Sequence, residues 1–126
     1  MTPGIILFAH GSRLEAANEE VREAARQLAG EGGFAHVEAA FLELSRPDLA
    51  GAVTRLLASG ITRILVVPYF LTAGRHQDRD LPALVEQSAR EHPEAEIRIV
   101  AGLAGHPGVT AALLDRARQG LSQWVP

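Results

Sequence analysis

Short continuous apolar runs alternate four times along this chain with longer segments in which apolar residues recur every three or four positions, and Gly and Pro fall between them. A continuous run reads as a strand covered on both faces, and the longer period reads as a helix with one face on a sheet. The first strand covers roughly residues 3 to 9. Its helix runs from about Glu15 to Ala29, with Ala16, Val21, Ala24, Ala25 and Leu28 as the apolar face and Glu19, Glu20, Arg22 and Arg26 as the wet one, and Gly30, Gly32 and Gly33 end it. Strand two spans His36 to Leu42; its helix opens at Pro47, carries Leu49, Val53, Leu56 and Leu57, and stops near Gly60. Strand three is the run Ile64 to Leu71, whose lack of alternation assigns it a central place in a parallel sheet. Asp80 and Pro82 open the third helix, which ends before Pro93; strand four is Ile97 to Ala101, and a last helix follows Gly105-His106-Pro107 to about Gln119.

Four βα units joined by right-handed crossovers predict an α/β fold: a doubly wound, four-stranded parallel sheet of order 2-1-3-4 with helices on both faces, a flavodoxin-like half-lobe. The 126 residues, 47% hydrophobic, suit one domain over 1–126. In such sheets ligands bind beyond the carboxyl ends of the strands, at the point between strands one and three where the chain reverses direction. His10, in His10-Gly11-Ser12-Arg13, follows strand one, and His76, in Thr72-Ala73-Gly74-Arg75-His76, follows strand three. Two imidazoles in that crevice can share one divalent metal.

Composition narrows the chemistry. There is no cysteine, which excludes disulfides, a thiolate nucleophile and Cys-ligated zinc or iron–sulfur centres, so a metal must be held by nitrogen and oxygen. The first apolar run is about six residues against the roughly 20 a membrane helix needs, so neither a membrane span nor a secretory signal is expected and a cytoplasmic location follows. Net charge is −3 and the basic residues are spread out, which argues against a nucleic-acid partner. All twelve basic residues are arginine, so permanently charged forks for carboxylates are at hand.

Glu43 ends the second strand, beside the first; it can approach a metal held by His10 or accept a proton there, or else pair with Arg46 on the surface. Arg13, Arg46, Arg75 and Arg79 fall in the first three strand-end loops and give an acidic protein a locally positive rim suited to a polycarboxylate, although each alone could be a solvated surface group. The loop of about nine residues holding His76 is long for a βα connection, which favours function. His36 and His92 read as structural, and His106, before Pro107, reads as a helix cap. No G-x-S-x-G elbow, P-loop or G-x-G-x-x-G turn is present.

The segments A-H-G-S-R (9–13), F-L-E-L-S-R-P (41–47), V-V-P-Y-F-L-T-A-G-R-H-Q-D-R-D-L-P (66–82) and G-L-A-G-H-P (102–107) closely resemble the small single-domain sirohydrochlorin chelatases of the CbiX type, relatives of the class II chelatases. The resemblance implies insertion of Co²⁺, or in sister enzymes Fe²⁺ or Ni²⁺, into sirohydrochlorin, a tetrapyrrole with eight carboxylates. It implies neither ATP nor an organic cofactor, and a product feeding cobalamin or, alternatively, siroheme. On the matching positions it makes His10 and His76 the metal-binding histidines and Glu43 an acidic residue near the site; Ser12, Arg13, Arg46, Arg75 and Arg79 are this chain's candidates for binding the substrate. A homodimer holding the tetrapyrrole between two lobes is implied as well. Insertion needs a weak metal clamp and a base, which these residue types supply. Two other classes remain: a non-catalytic metal carrier or sensor, which has no use for an arginine rim, and a flavodoxin-like module for a phosphate-bearing cofactor, against which the missing glycine-rich loop counts.

Overall fold

The run Gly4–Ala9 has no polar side chain to turn toward water, and as strand β1 all six of its residues are buried. That burial requires neighbours on both edges and cover on both faces. The computed structural model, which describes residues 2–71 and 75–124 with the side chains of 75–79 excepted, supplies both. The elements are β1 (Gly4–Ala9), α1 (Glu15–Gly32), β2 (Val37–Phe41), α2 (Leu49–Ala58), β3 (Arg63–Pro68), α3 (Arg75–Glu91), β4 (Glu96–Ile99) and α4 (Pro107–Leu121). The strands are parallel in the order β2-β1-β3-β4, as the alternation of elements predicts. Ile5 lies opposite Val37 on one side and Leu65 on the other, and this register sets which side chains share a face.

On one face Ile6, Phe8, Ala40, Ile64 and Val66 pack against α2 through Leu49, Val53 and Leu56 and against α3 through Leu81 and Val85. On the other, Leu7, Ala9 and Phe41 meet Val21 and Ala25 of α1. That helix covers β1 and β2 and leaves Leu65 and Val67 of β3 half-buried.

Several details depart from the pattern read along the sequence. The strand buried throughout is β1; β3 alternates, with Ile64, Val66 and Pro68 buried and Leu65 and Val67 half-buried, because one of its faces lacks a helix. It ends at Pro68, short of Leu71. Helix α2 opens after Pro47, not at it: Asp48 is the N-cap, and its Oδ1 accepts the Gly51 N–H at 2.8 Å. Helix α3 starts at Arg75, before Asp80 and Pro82, so Pro82 lies inside it and one backbone hydrogen bond is lost while buried Leu81 and Val85 hold the helix to the sheet. The loop after β3 is correspondingly shorter than nine residues, and the backbone of His76 belongs to the first turn of α3. Helix α1 runs through Gly30 and stops at Gly33, whose φ of 67° is the left-handed turn that ends it.

Candidate functional site

The β1–β2 ladder does not stop where the strands do. Leu42 N–H donates to the Ala9 carbonyl at 2.9 Å and Glu43 N–H to the His10 carbonyl at 3.1 Å, so His10 and Glu43 stand side by side at the carboxyl edge of the sheet. His10 Nε2 and Glu43 Oε1 are 3.9 Å apart, with side chains 53% and 57% exposed. Nitrogen and oxygen donors thus face solvent together, open to a ligand. Among the described residues Glu43 forms no ion pair with Arg46, and the side chain beside it is that of His10. Close approach of the two loops depends on Gly11: its φ is 96°, and a Cβ there would lie 1.8 Å from the Glu43 carbonyl oxygen.

Two polar residues of α1 fix these loops. Asn18, 1% exposed, accepts the Ser12 N–H at 2.8 Å and donates from Nδ2 to the Ser12 carbonyl at 2.8 Å. Ser12 Oγ accepts the Leu14 N–H at 3.0 Å, so Ser12 shapes the turn into α1, while Arg13 beside it is exposed. Arg22 lies over the Phe41 ring, its guanidinium carbon 5.3 Å from the centroid. Its Nη2 donates to Ser45 Oγ at 2.8 Å and its Nη1 to Glu15 at 2.7 Å and Glu19 at 3.1 Å. Hydrogen bonding to Glu15 raises the Arg22 pKa, and those to Arg22 and Arg26 hold the Glu15 and Glu19 carboxyls below their usual range.

The loop between β2 and α2 closes on itself through the Phe41 N–H bonded to the Pro47 carbonyl at 2.9 Å, with Leu44 at a left-handed φ of 65°. Glu43, Ser45 and exposed Arg46 line an open cavity of about 620 Å³, to which Asp48 and Arg55 also contribute. Arg55 was not singled out by its position in the sequence.

The structure therefore joins His10, Glu43, Ser12, Arg13 and Arg46 on one rim. His76, Arg75 and Arg79 belong by backbone to the start of α3, and their side chains lie outside the described residues. No group of three His, Cys, Asp or Glu side chains able to hold a metal occurs among the described residues. His106 caps α4, its Nδ1 accepting the Gly108 N–H at 2.8 Å, as the sequence indicates. Half-buried His92 lies at the end of α3 with Nδ1 3.5 Å from Glu94. Asn18 and Arg22 escaped the sequence reading. The signal for Asn18 was its place on the stripe with Val21 and Ala25, where a polar residue must find a buried partner.

The family model for CbiX matches residues 4–120. The chain belongs to the CbiX family. This CbiX chain is 33% identical over 119 residues to the chloroplastic sirohydrochlorin ferrochelatase of Arabidopsis thaliana, covering 94% of this chain and 53% of that protein. It is 29% identical over 139 aligned positions to the sirohydrochlorin cobaltochelatase of Methanopyrus kandleri, covering 94% and 97%. Its fold superposes on SirB from Bacillus subtilis, determined with Fe³⁺, with a TM-score of 0.87 and 25% identity, covering all of this CbiX chain and 49% of that one. The chain thus spans about half the length of the Arabidopsis and Bacillus proteins and nearly all of the Methanopyrus protein.

Proposed function

We propose that this chain is a sirohydrochlorin chelatase, with Co²⁺ as the metal it inserts and cobalamin biosynthesis in the cytoplasm as its setting. The observation that carries the reading is the His10–Glu43 pair, 3.9 Å apart on the rim beside the switch point, in a chain that matches the CbiX model over residues 4–120. The names of its relatives include both a ferrochelatase and a cobaltochelatase, so the identity of the metal is put to the test below.

Insertion exchanges two pyrrole N–H protons for one divalent ion, and each metal–nitrogen bond that forms displaces a ligand of the incoming ion. A neutral His10 imidazole, with His76 from the first turn of α3, holds the ion by few enough bonds to give it up. Glu43 takes the two pyrrole protons in turn as the macrocycle nitrogens bind the metal, and the neutral carboxylic acid formed each time loses its proton to water before the carboxylate accepts again. Arg13, Arg46, Arg75 and Arg79 meet the peripheral carboxylates, bidentate where the forks align, and Ser12 holds the turn that presents His10 and Arg13. Proton release and four metal–nitrogen bonds drive the reaction without ATP or an organic cofactor. One lobe offers an open rim, and a homodimer places two rims around the tetrapyrrole.

Incubation with sirohydrochlorin and Co²⁺, Fe²⁺ or Ni²⁺, followed by absorption, tests the reading. Conversion fastest with Co²⁺ is expected; faster conversion with Fe²⁺ or Ni²⁺ reassigns the metal, and metal binding without conversion makes the protein a carrier. Glu43→Gln is expected to slow turnover at saturating metal more than it weakens metal binding, and the opposite split would make Glu43 a ligand instead of a base.

A further inference from the structure

Leucine suits position 44 poorly on two counts. Its φ is 65°, and among the described residues it is the one residue other than glycine with a positive φ. In that left-handed region a Cβ crowds the backbone; glycine escapes the penalty, and asparagine tolerates the region far better than leucine does. The residue is also 53% exposed, so packing inside the chain does little to offset the strain, and an apolar side chain stands in water.

The backbone is pinned on either side of this residue. Before it, Leu42 N–H donates to the Ala9 carbonyl at 2.9 Å and Glu43 N–H to the His10 carbonyl at 3.1 Å. After it, Ser45 Oγ accepts Arg22 Nη2 at 2.8 Å, and the Pro47 carbonyl accepts the Phe41 N–H at 2.9 Å. The turn between these anchors would form more readily with asparagine or glycine at its left-handed position. Strain that its surroundings hold in place, at a residue the core does not need, points to a use outside the fold.

The neighbours of Leu44 indicate that use. It adjoins Glu43, whose carboxylate is 3.9 Å from His10 Nε2, and other large apolar residues are exposed in loops that leave the same edge of the sheet: Leu14 after β1, and Tyr69 and Leu71 after β3. Exposed leucines scattered singly are ordinary, whereas these are gathered at the edge that bears an imidazole and a carboxylate. Arginine forks match the peripheral carboxylates of a tetrapyrrole but not its ring faces, which are flat, conjugated and apolar. An aliphatic side chain next to the base matches those faces.

We propose that Leu44 is a substrate-positioning residue whose side chain packs on a ring face of the tetrapyrrole and so holds a pyrrole N–H within reach of Glu43. The proposal rests on the chelatase reading of the preceding section and adds the apolar contact that the arginines do not provide. Contact with the macrocycle removes from water a side chain that the fold leaves exposed, and the strain at residue 44 is the cost of presenting it there.

Two variants separate the strain from the contact. Leu44→Asn relieves the left-handed strain and removes the apolar surface, whereas Leu44→Met keeps both. Each is unfolded in urea and titrated with metal-free sirohydrochlorin, followed by absorption, and with Co²⁺ alone. Leu44→Asn is expected to unfold at higher urea than the unaltered chain yet to bind sirohydrochlorin roughly five- to tenfold more weakly, with unchanged Co²⁺ affinity. Leu44→Met is expected to match the unaltered chain in stability and in affinity. A merely structural role would move stability and affinity in the same direction. Undiminished sirohydrochlorin affinity in Leu44→Asn, or an equal loss in Leu44→Met, would overturn the proposal. So would a Leu44→Asn variant no more stable than the unaltered chain, since residue 44 would then hold no strain. Failure of the unaltered chain to bind sirohydrochlorin removes the chelatase reading itself, whereas binding indifferent to residue 44 leaves that reading standing and removes this contact alone.

Discussion

Phe8 and Phe41, in adjacent strands β1 and β2, are 1% and 0% exposed, whereas Leu113 and Leu121 of α4 are 65% and 60% exposed. At the first end of the molecule the strands are sealed, and the loops that leave them are tied down by Asn18 and Arg22. At the second, β4 is a short edge strand and α4 rests on nothing that buries it. The proposed chemistry sits on the sealed end, where an imidazole and a carboxylate must keep a fixed separation over each turnover. The bare end has no such demand.

Substitution of one large apolar residue at each end gives the sharpest contrast. Phe41→Ala is expected to destabilise the chain by about 3–5 kcal/mol in urea unfolding, since it opens a cavity under α1 and removes the ring beneath Arg22. Leu113→Ala, at an exposed position, is expected to change stability by less than about 0.5 kcal/mol. Equal losses at both sites would erase the distinction.

The next effect is confined to the rim. His10→Ala is expected to slow insertion by at least about 100-fold while leaving circular dichroism and melting unchanged, because the side chain is half exposed and outside the core. His76→Ala is expected to do the same to activity. Near-normal turnover of either variant at limiting metal would detach the chemistry from these histidines.

Smaller again is the contribution of the tether. Asn18→Leu leaves the Ser12 N–H and carbonyl without their partner and is expected to lower stability by about 1–3 kcal/mol. Turnover at a temperature where the variant is fully folded is expected to fall as well; full activity there would show that Asn18 steadies the fold and not the position of His10.

The acid response is the smallest. Hydrogen bonds to Arg22 and Arg26 lower the Glu15 and Glu19 pKa values in the folded chain. The stabilisation they provide is present above the ordinary carboxylate pKa and is lost as pH falls through the lowered folded values. These carboxylates are exposed, so the drop in melting temperature is expected to be slight, and Glu15→Gln/Glu19→Gln is expected to flatten it. An unchanged slope in that variant would place the acid sensitivity elsewhere.

Strand number, direction and order were legible from the alternation of apolar runs and helical periods, because in a βα repeat those features are local and the crossover rule does the rest. Which strand is covered on both faces was not legible: Ile64–Pro68 reads as more continuous than it packs, since cover depends on a helix distant in sequence. The start of α3 was obscured by Pro82, which normally marks a helix opening and here lies within one. His10 and Glu43 were readable as neighbours because strand order makes them so. Arg22 was placed with the wet face of α1 and is instead folded over Phe41, a contact between α1 and β2 that has no periodic trace. Ala16, assigned to the apolar face, is exposed, and Asn18 holds the buried position near the start of that helix.

Gly11 bears on how this rim can vary. The smallest side chain placed at position 11 meets the carbonyl oxygen of Glu43 at 1.8 Å. Had the obstacle been a side chain, a smaller residue at position 43 could have accommodated the change, and the two sites could have drifted together. A carbonyl oxygen accompanies every residue, so no exchange at position 43 offers that escape. In a library that varies the two loops together, position 11 is expected to stay glycine whatever is selected at position 43, and the route from one rim chemistry to another runs through residue 43 while its backbone stays in place.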